Sequence, residues 1–185
     1  NMPTARNNLA VAAAPNGKDY AIGGFNPGSG YLSTVEEYDP ATDSWTTRAS
    51  LSVGRHQLGT AATSDGKIYV IGGYNGTLLG IVEEYDPSTD TWTNKASMPT
   101  VRYGLGVVGG PNNKIYAIGG TNTTGGQLTT VEEYDPDIDT WSTTDPMPTA
   151  RTRLAATMSN NKLYAIGGDE DIILGKQPAN EEATI

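Results

Sequence analysis

Four arginines recur at regular intervals along the chain, and their side chains have the clearest potential for binding chemistry. Arg6, Arg55, Arg102 and Arg151 each come shortly before a run of small and apolar residues. Guanidinium groups that converge on one point bind carboxylates and phosphates through paired, charge-assisted hydrogen bonds. A regular repeat also favours a structural role, in which each arginine pairs with a glutamate of its own repeat, such as Glu36. The arginines are therefore interpreted either as an anion-binding set or as part of the scaffold.

Polar and aromatic residues near the arginines extend this candidate site. Tyrosine and asparagine recognise peptides and sugars through ring contacts and amide hydrogen bonds. Some of them directly follow an arginine, and others lie in loops whose lengths differ between repeats, where specificity usually resides. The expected ligand-binding residues are Arg6, Arg55, Arg102, Arg151, Arg153, Asn7, His56, Tyr103, Tyr74, Asn75 and Asn122. For any single loop residue, ordinary turn chemistry is the simpler interpretation.

The chain lacks residues on which several classes of function depend. It has no cysteine and only one histidine, which excludes thiol chemistry and histidine-rich metal sites within these residues. The adjacent Glu36 and Glu37 are predicted to point to opposite faces of a strand, so they cannot flank one glycosidic bond. A net charge of -9 disfavours nucleic-acid binding, and there is no run of about 20 apolar residues to insert into a membrane. No catalytic residue, metal or cofactor is therefore assigned.

A five-residue segment, Tyr-x-Ile-Gly-Gly, occurs four times about 48 residues apart and sets the period of the chain. Each copy is predicted to be a short apolar strand ending in two glycines, which let the chain turn where a side chain would clash. A Val-Glu-Glu-Tyr-Asp-Pro segment follows in three repeats, and a tryptophan lies seven residues after its tyrosine. That spacing places the two rings opposite each other in a hairpin. The residues expected to be structural are Gly23, Gly24, Gly72, Gly73, Gly119, Gly120, Gly167, Gly168, Tyr38, Trp45, Tyr85, Trp92, Tyr134 and Trp141.

Each repeat is predicted to form four short antiparallel strands. They are a small-residue inner strand, the Gly-Gly strand, the Glu-Tyr strand and the Trp strand. The pairs Asn16-Gly17, Asp65-Gly66, Asn112-Asn113 and Asn160-Asn161 predict two-residue hairpin turns between the first two strands. A four-stranded unit of about 48 residues is typical of a propeller blade. The predicted fold class is therefore all-β.

These units resemble kelch repeats, whose hallmarks are the double glycine, the following Glu-x-Tyr-Asp and a spaced tyrosine and tryptophan. Three full copies match, and a fourth matches through Gly168. The resemblance implies a β-propeller of four-stranded antiparallel blades with the small strand innermost. It also implies that the repeat arginines face the mouth of the central channel, because arginines at this phase bind acidic peptide motifs in the kelch domains of ubiquitin-ligase adaptors.

The resemblance favours a non-enzymatic binding module that presents arginine, asparagine and tyrosine at the channel mouth to a protein segment or a glycan. Two alternatives stay open. One is a sugar-modifying enzyme, because some kelch propellers isomerise sialic-acid anomers. The other is a purely structural repeat array in a larger surface protein. The absence of cysteine and the acidic composition, rich in Thr, Asn and Gly, favour a bacterial or extracellular protein.

The predicted blades cover about residues 2–48, 51–95 and 98–144, with a partial fourth blade over about 147–185. After Gly168 neither the Tyr-Asp-Pro segment nor a tryptophan recurs. The fourth unit therefore lacks its two outer strands or replaces them with degenerate ones. The preferred interpretation is a fragment of a larger propeller; the other is a ring completed by another chain or by an unusual four-blade closure. Exposed sheet edges in an incomplete blade invite self-association.

Overall fold

A computed structural model describes residues 1–122, 126–169 and 181–184 as four small antiparallel sheets in sequence order. The first three sheets have four strands each, and the fourth has three. A two-stranded hairpin lies in the loop of the first unit. The elements are β1 (Ala10–Ala13), β2 (Asp19–Ile22), β3 (Phe25–Asn26), β4 (Gly30–Tyr31), β5 (Val35–Asp39), β6 (Ser44–Arg48), β7 (Gly59–Ala62), β8 (Ile68–Ile71), β9 (Val82–Asp86), β10 (Thr91–Lys95), β11 (Gly106–Gly109), a 3₁₀ helix (Pro111–Asn113), β12 (Ile115–Ile118), β13 (Val131–Asp135), β14 (Thr140–Thr143), β15 (Ala155–Ser159), β16 (Lys162–Ile166) and β17 (Glu181–Thr184).

Within each complete sheet the strands follow one another in space as they do along the chain. The first sheet has the order β1-β2-β5-β6, and the next two repeat it with β7-β8-β9-β10 and β11-β12-β13-β14. The inner strands β1, β7, β11 and β15 contact one another in sequence, so they form the innermost layer. Their small side chains allow this close approach. The prediction of an all-β fold built from four-stranded antiparallel units is confirmed.

The outer hairpin of each complete unit is fastened by a tyrosine and a tryptophan on facing strands. Tyr85 lies directly opposite Trp92 in the β9-β10 register, and their ring centroids are 4.8 Å apart. The corresponding Tyr38–Trp45 pair has a centroid distance of 5.0 Å. Trp92 also donates its indole N–H to the carbonyl of Ala49 at 2.7 Å, which ties the second unit to the end of the first. Each tryptophan with such a bond therefore stabilises both its own hairpin and a joint between units.

The apolar core lies between neighbouring sheets and not within them, because each sheet is a single layer. Tyr20 and Ile22 of the first sheet form one buried cluster with Ile68, Val70 and Tyr85 of the second. Two further clusters join the second sheet to the third and the third to the fourth. Burial of aliphatic and aromatic side chains at these joints supplies most of the favourable free energy of folding.

In the first three units the first glycine of the double glycine permits a close approach to the backbone of the next unit. Gly72 has φ of +65°, and a Cβ atom there would lie 2.8 Å from the carbonyl oxygen of Arg102 in the next unit. The following N–H, that of Gly73, donates to the same carbonyl oxygen at 3.0 Å. The two glycines are therefore needed both for a left-handed backbone and for direct contact between two backbones.

The predicted two-residue turns occur only in the fourth unit, where Asn160 and Asn161 have φ of 50° and 59°. In the first unit the N–H of Gly17 donates to the carbonyl of Ala14 at 3.0 Å, and Gly17 is the left-handed residue of a longer turn. The second unit repeats this turn, and the third replaces it with the 3₁₀ helix. The prediction is wrong for these three units because their loops contain one more residue, which makes a turn with a single left-handed position favourable.

The fourth sheet contains a third strand that the sequence pattern did not place. Strand β17 pairs with β16, and Glu181 lies opposite Ala165 just as Glu132 lies opposite Ala117 in the third sheet. Of the two alternatives for this unit, missing or degenerate outer strands, the second applies to the third strand, because residues 181–184 take the place of the Glu-Tyr strand. Residues 170–180 and 185, which the predicted fourth blade includes, lie outside the described residues.

Substitution of Gly72 by Ala should destabilise the chain far more than the same change at Gly17. Both glycines have positive φ, at +65° and +78°, but a Cβ at Gly17 meets no atom within 4 Å. Gly17→Ala should therefore cost only the conformational strain, about 1 kcal/mol. Gly72→Ala should cost about 2 kcal/mol more because the joint between units must open. Urea unfolding curves of both variants measure the difference, and equal costs would contradict the direct backbone contact.

Candidate functional site

The repeat arginines lie inside their own sheets, and Arg6, Arg55 and Arg102 are each paired with a glutamate. The side chain of Arg102 is fully buried, and its Nη2 lies 2.9 Å from Oε2 of Glu132. Its guanidinium also donates to the carbonyl oxygens of Ala117 at 2.9 Å and Thr130 at 3.3 Å. Burial lowers the pKa of Arg102 to about 10, although the charge of Glu132 opposes that shift, so the guanidinium stays charged at neutral pH.

The same arrangement recurs in the other units. Arg6 Nη2 lies 2.7 Å from Glu36 Oε2, and Arg55 Nη2 lies 2.8 Å from Glu83 Oε2. Arg151 is also fully buried and donates to the carbonyl of Gly167 at 3.0 Å. Of the two interpretations that the sequence leaves open, these contacts favour the arginines as part of the scaffold over a set that converges on an open channel mouth. Each one has acceptors inside its own unit, and a buried charge must remain with such partners.

The residues that directly follow the arginines are joined by backbone bridges to the starts of the variable loops. His56 and Tyr74 exchange two hydrogen bonds, at 3.1 and 3.0 Å, and Tyr103 and Thr121 do the same at 3.2 and 2.9 Å. Asn7 is bridged to Phe25 and Thr152 to Asp169 in the same way. The fold therefore brings together two sets of candidate residues that are about 18 positions apart in sequence.

A chain of backbone hydrogen bonds links these bridges from one unit to the next. The residue two positions after each repeat arginine is left-handed: Asn8, Gln57, Gly104 and Arg153 have φ between 51° and 64°. The N–H of Gln57 donates to the Asn8 carbonyl at 2.8 Å, that of Gly104 to Gln57 at 2.8 Å, and that of Arg153 to Gly104 at 2.6 Å. These bonds offset the strain of three non-glycine residues in that region. This series of hydrogen bonds fixes the backbone of the candidate site across all four units.

Five aromatic rings from three units lie together on this rigid backbone, and we call them the aromatic patch: Phe25, Tyr31, His56, Tyr74 and Tyr103. Neighbouring ring centroids are 5.2 to 6.0 Å apart, from Phe25 at one side to Tyr103 at the other. All five side chains are partly exposed, and Tyr31 reaches 37%. A row of rings with one accessible side can stack against an apolar or planar ligand group.

His56 is at the centre of the aromatic patch, with ring centroids of Tyr31, Phe25 and Tyr74 within 5.2 to 5.8 Å. Its Nδ1 is buried and has no hydrogen-bond partner among the described residues. Partial burial lowers the pKa of His56 below its usual value of 6.5. The imidazole is therefore neutral at pH 7 and contributes to the patch as another ring.

The remaining candidates occupy different positions around the patch. Arg153 is exposed and pairs with Asp169 at 2.8 Å. Asn75 accepts a hydrogen bond from the Thr77 hydroxyl at 3.0 Å and so shapes its own loop. Asn122 donates its N–H to the carbonyl of Gly126 at 3.2 Å. Phe25 was not among the expected site residues. It directly follows the double glycine, as Tyr74 does in the next repeat, and this shared position is the sequence signal that could have identified it.

Two negative observations apply to residues 1–122, 126–169 and 181–184. Their His, Asp and Glu side chains form no group of three or more that could hold a metal ion. In the same residues, no helix has the length and apolar character needed to cross a membrane.

The family comparisons agree with the repeat pattern. The family model described as the Kelch motif matches the chain three times, at residues 6–52, 58–99 and 102–148. Together these segments cover well over half of the 185 residues. No curated protein matches the chain.

Removal of a buried repeat arginine should destabilise the chain without acting through any ligand. Arg102→Ala leaves Glu132 buried and unpaired, and we expect a loss of about 3 kcal/mol in the free energy of unfolding. Arg153→Ala is the matched control, because it removes a guanidinium whose ion pair is mostly exposed and should change stability by less than about 1 kcal/mol. Chemical denaturation distinguishes the two, and a stable Arg102→Ala variant would contradict a scaffold role.

His56 should titrate below pH 6.5 in the folded chain. Because burial disfavours the protonated ring, the unfolded state binds the proton more tightly than the folded state. The stability associated with neutral His56 is therefore present above pH 6.5 and is lost as pH falls from that value through the folded pKa. NMR titration of the imidazole nitrogens measures this directly, since the chain has one histidine. The urea-unfolded chain is the control, and a folded midpoint at or above the unfolded one would refute the prediction.

Proposed function

The chain belongs to the kelch-repeat family, and from this premise we propose that it is a non-enzymatic binding module that holds its ligand on the aromatic patch. Kelch repeats are generally protein-interaction modules, so a protein segment is the first candidate ligand and a glycan is the second. The observation that carries the proposal is the row of five partly exposed rings from three units. None of the five rings belongs to the three buried apolar clusters at the joints between units.

The chemistry of the patch indicates what kind of segment it would accept. The rings are neutral, and amide side chains such as Asn7 and Gln57 lie beside them in sequence. The side chains of Arg6, Arg55 and Arg102 are buried against their glutamates and Arg151 is also buried, so the repeat arginines offer no positive surface to an acidic peptide. The net charge of -9 also disfavours acidic partners. We therefore propose a neutral or basic segment that contributes aromatic, aliphatic or proline side chains to the rings.

The two other functions considered have less support. A sialic-acid isomerase would need a cation free to hold the sugar carboxylate, and three of the repeat arginines have their glutamates within 2.7 to 2.9 Å. A purely structural array would not require exposed aromatic rings, because the apolar residues at the joints between units are buried. The aromatic patch is therefore the feature that favours binding over both alternatives.

Replacement of Tyr74 by Ala should weaken ligand binding by about tenfold or more, because Tyr74 contacts three other rings of the patch. The probes are a random peptide display library and a neutral glycan array, and the best binder of each is measured by calorimetry. Peptide binding supports the first candidate, and binding of glycans alone supports the second.

The matched control is Ile138→Ala, which removes an apolar side chain that is 67% exposed and lies away from the patch. Its binder affinity should equal that of the unaltered chain, and the thermal melting of both variants should be nearly unchanged. A binder whose affinity is insensitive to Tyr74→Ala, or no binder from either source, would refute the role of the patch.

A further inference from the structure

The chain contains two Asn-Gly pairs, and they lie in different kinds of loop. Asn16-Gly17 lies in the turn between β1 and β2, and Asn75-Gly76 lies in the loop that follows Tyr74 of the aromatic patch. An asparagine followed by glycine is prone to deamidation, because the glycine has no side chain to hinder attack of its backbone nitrogen on the asparagine side chain. The rate then depends on what holds the attacking nitrogen, the side-chain oxygen and the amide that leaves.

The attacking nitrogen is held by a hydrogen bond in the first pair but not in the second. The N–H of Gly17 donates to the carbonyl of Ala14 at 3.0 Å. The N–H of Gly76 has no acceptor in the described part of the chain, and Gly76 is exposed. A Cβ built at Gly76 would meet no atom within 4 Å, so the loop has room to move there. The Gly76 nitrogen can therefore approach the Asn75 side chain without first losing a hydrogen bond.

The leaving amide differs in the same way. Nδ2 of Asn16 donates to the hydroxyl of Tyr20 at 2.9 Å, and that tyrosine is fully buried. The Asn16 Oδ1 also accepts from the N–H of Lys18 at 3.0 Å, so both polar atoms of this side chain are fixed. Nδ2 of Asn75 makes no hydrogen bond within the described residues, and this side chain is held by its oxygen alone.

Two donors of Thr77 converge on the side-chain oxygen of Asn75. The Thr77 hydroxyl donates to Oδ1 at 3.0 Å, and the Thr77 backbone nitrogen lies 3.4 Å from the same atom. Negative charge develops on this oxygen when a nitrogen adds to the amide carbon, and donors that already point at it stabilise that charge. The contacts of Thr77 therefore favour the addition step at Asn75.

We propose that Asn75 is a self-deamidating site at the edge of the aromatic patch, whereas Asn16 is protected by its contacts. The Gly76 nitrogen forms a bond to Cγ of Asn75 and loses its proton to water. The bond from Cγ to Nδ2 breaks, and the amide takes up a proton and leaves as ammonia. Water then opens the resulting cyclic imide at either carbonyl. The products are aspartate and isoaspartate, and both carry a carboxylate in place of the neutral amide.

The first test compares the two pairs in one sample. The folded chain is incubated at neutral pH and physiological temperature, and deamidation at each asparagine is followed by peptide mapping with mass spectrometry. Asn75 should react about tenfold faster than Asn16, because the two hydrogen bonds that must break at Asn16-Gly17 correspond to a factor of about that size. The control is the same chain in urea, where these contacts are lost and the two rates should be similar. Equal rates in the folded chain, or the same ratio in urea, would overturn the proposal.

Thr77→Val tests the contact at the oxygen, since it removes the hydroxyl and keeps the branched shape of an exposed side chain. The Asn75 rate should fall by about fivefold, the factor that corresponds to one hydrogen bond. The Asn16 rate should not change and is the internal reference in the same digest. An unaltered Asn75 rate would contradict the part assigned to Thr77.

The new carboxylate should also change the ligand preference of the neighbouring rings, an effect that rests on the proposed binding function. Asn75 directly follows Tyr74, so the charge lies within about one Debye length of a ligand on that ring. Asn75→Asp introduces the charge without altering the backbone. At low ionic strength this variant should bind a lysine-containing peptide from the display library about twofold more tightly than the unaltered chain does.

An uncharged peptide from the same library is the control, and its affinity should be the same for both chains. Equal affinities for the lysine-containing peptide would overturn the effect of the charge. Peptides whose affinity does not respond to Tyr74→Ala would instead refute the patch. The two failures are therefore distinguishable, and the deamidation rates involve no ligand at all.

Discussion

A repeat arginine such as Arg55 or Arg102 makes two contacts on which the rest of the structure depends. Its guanidinium pairs with a glutamate two strands away in the same sheet, as Arg102 does with Glu132 at 2.9 Å. Its carbonyl accepts the N–H of a glycine in the previous sheet, as that of Arg102 does from Gly73 at 3.0 Å. One residue thus fixes the sheet internally and also positions it against its neighbour. Because the guanidinium is buried, an unpaired state would carry a large desolvation cost, which makes this geometry strongly preferred.

The joint at the arginine carbonyl also explains the positions of the proposed binding residues. Two positions after the arginine the backbone is left-handed, as at Gln57. The residue between them, such as His56, forms the backbone bridge to the loop after the double glycine. In the first three units those bridging residues use their backbones for the fold and keep their side chains at least partly exposed, whereas Thr152 of the fourth unit is buried. In three units this places His56, Tyr74 and Tyr103, with Phe25 and Tyr31, on one continuous surface. The scaffold therefore constrains the position of the side chains and hardly constrains their identity.

The sequence predicts the fold well because the structural residues recur at a fixed phase. The double glycines, the Glu-Tyr strand and the Tyr–Trp spacing each imply a local geometry; the first recurs four times and the other two three times, which makes those implications consistent. Periodicity could not decide between the two interpretations of the arginines, because it is the same for a charge that points inwards and one that points outwards. The third strand of the fourth sheet was also missed, since Glu181 and Glu182 keep the two glutamates of the strand but not its tyrosine. The prediction of the turn type failed where one extra residue in the loop changed the preferred backbone conformation.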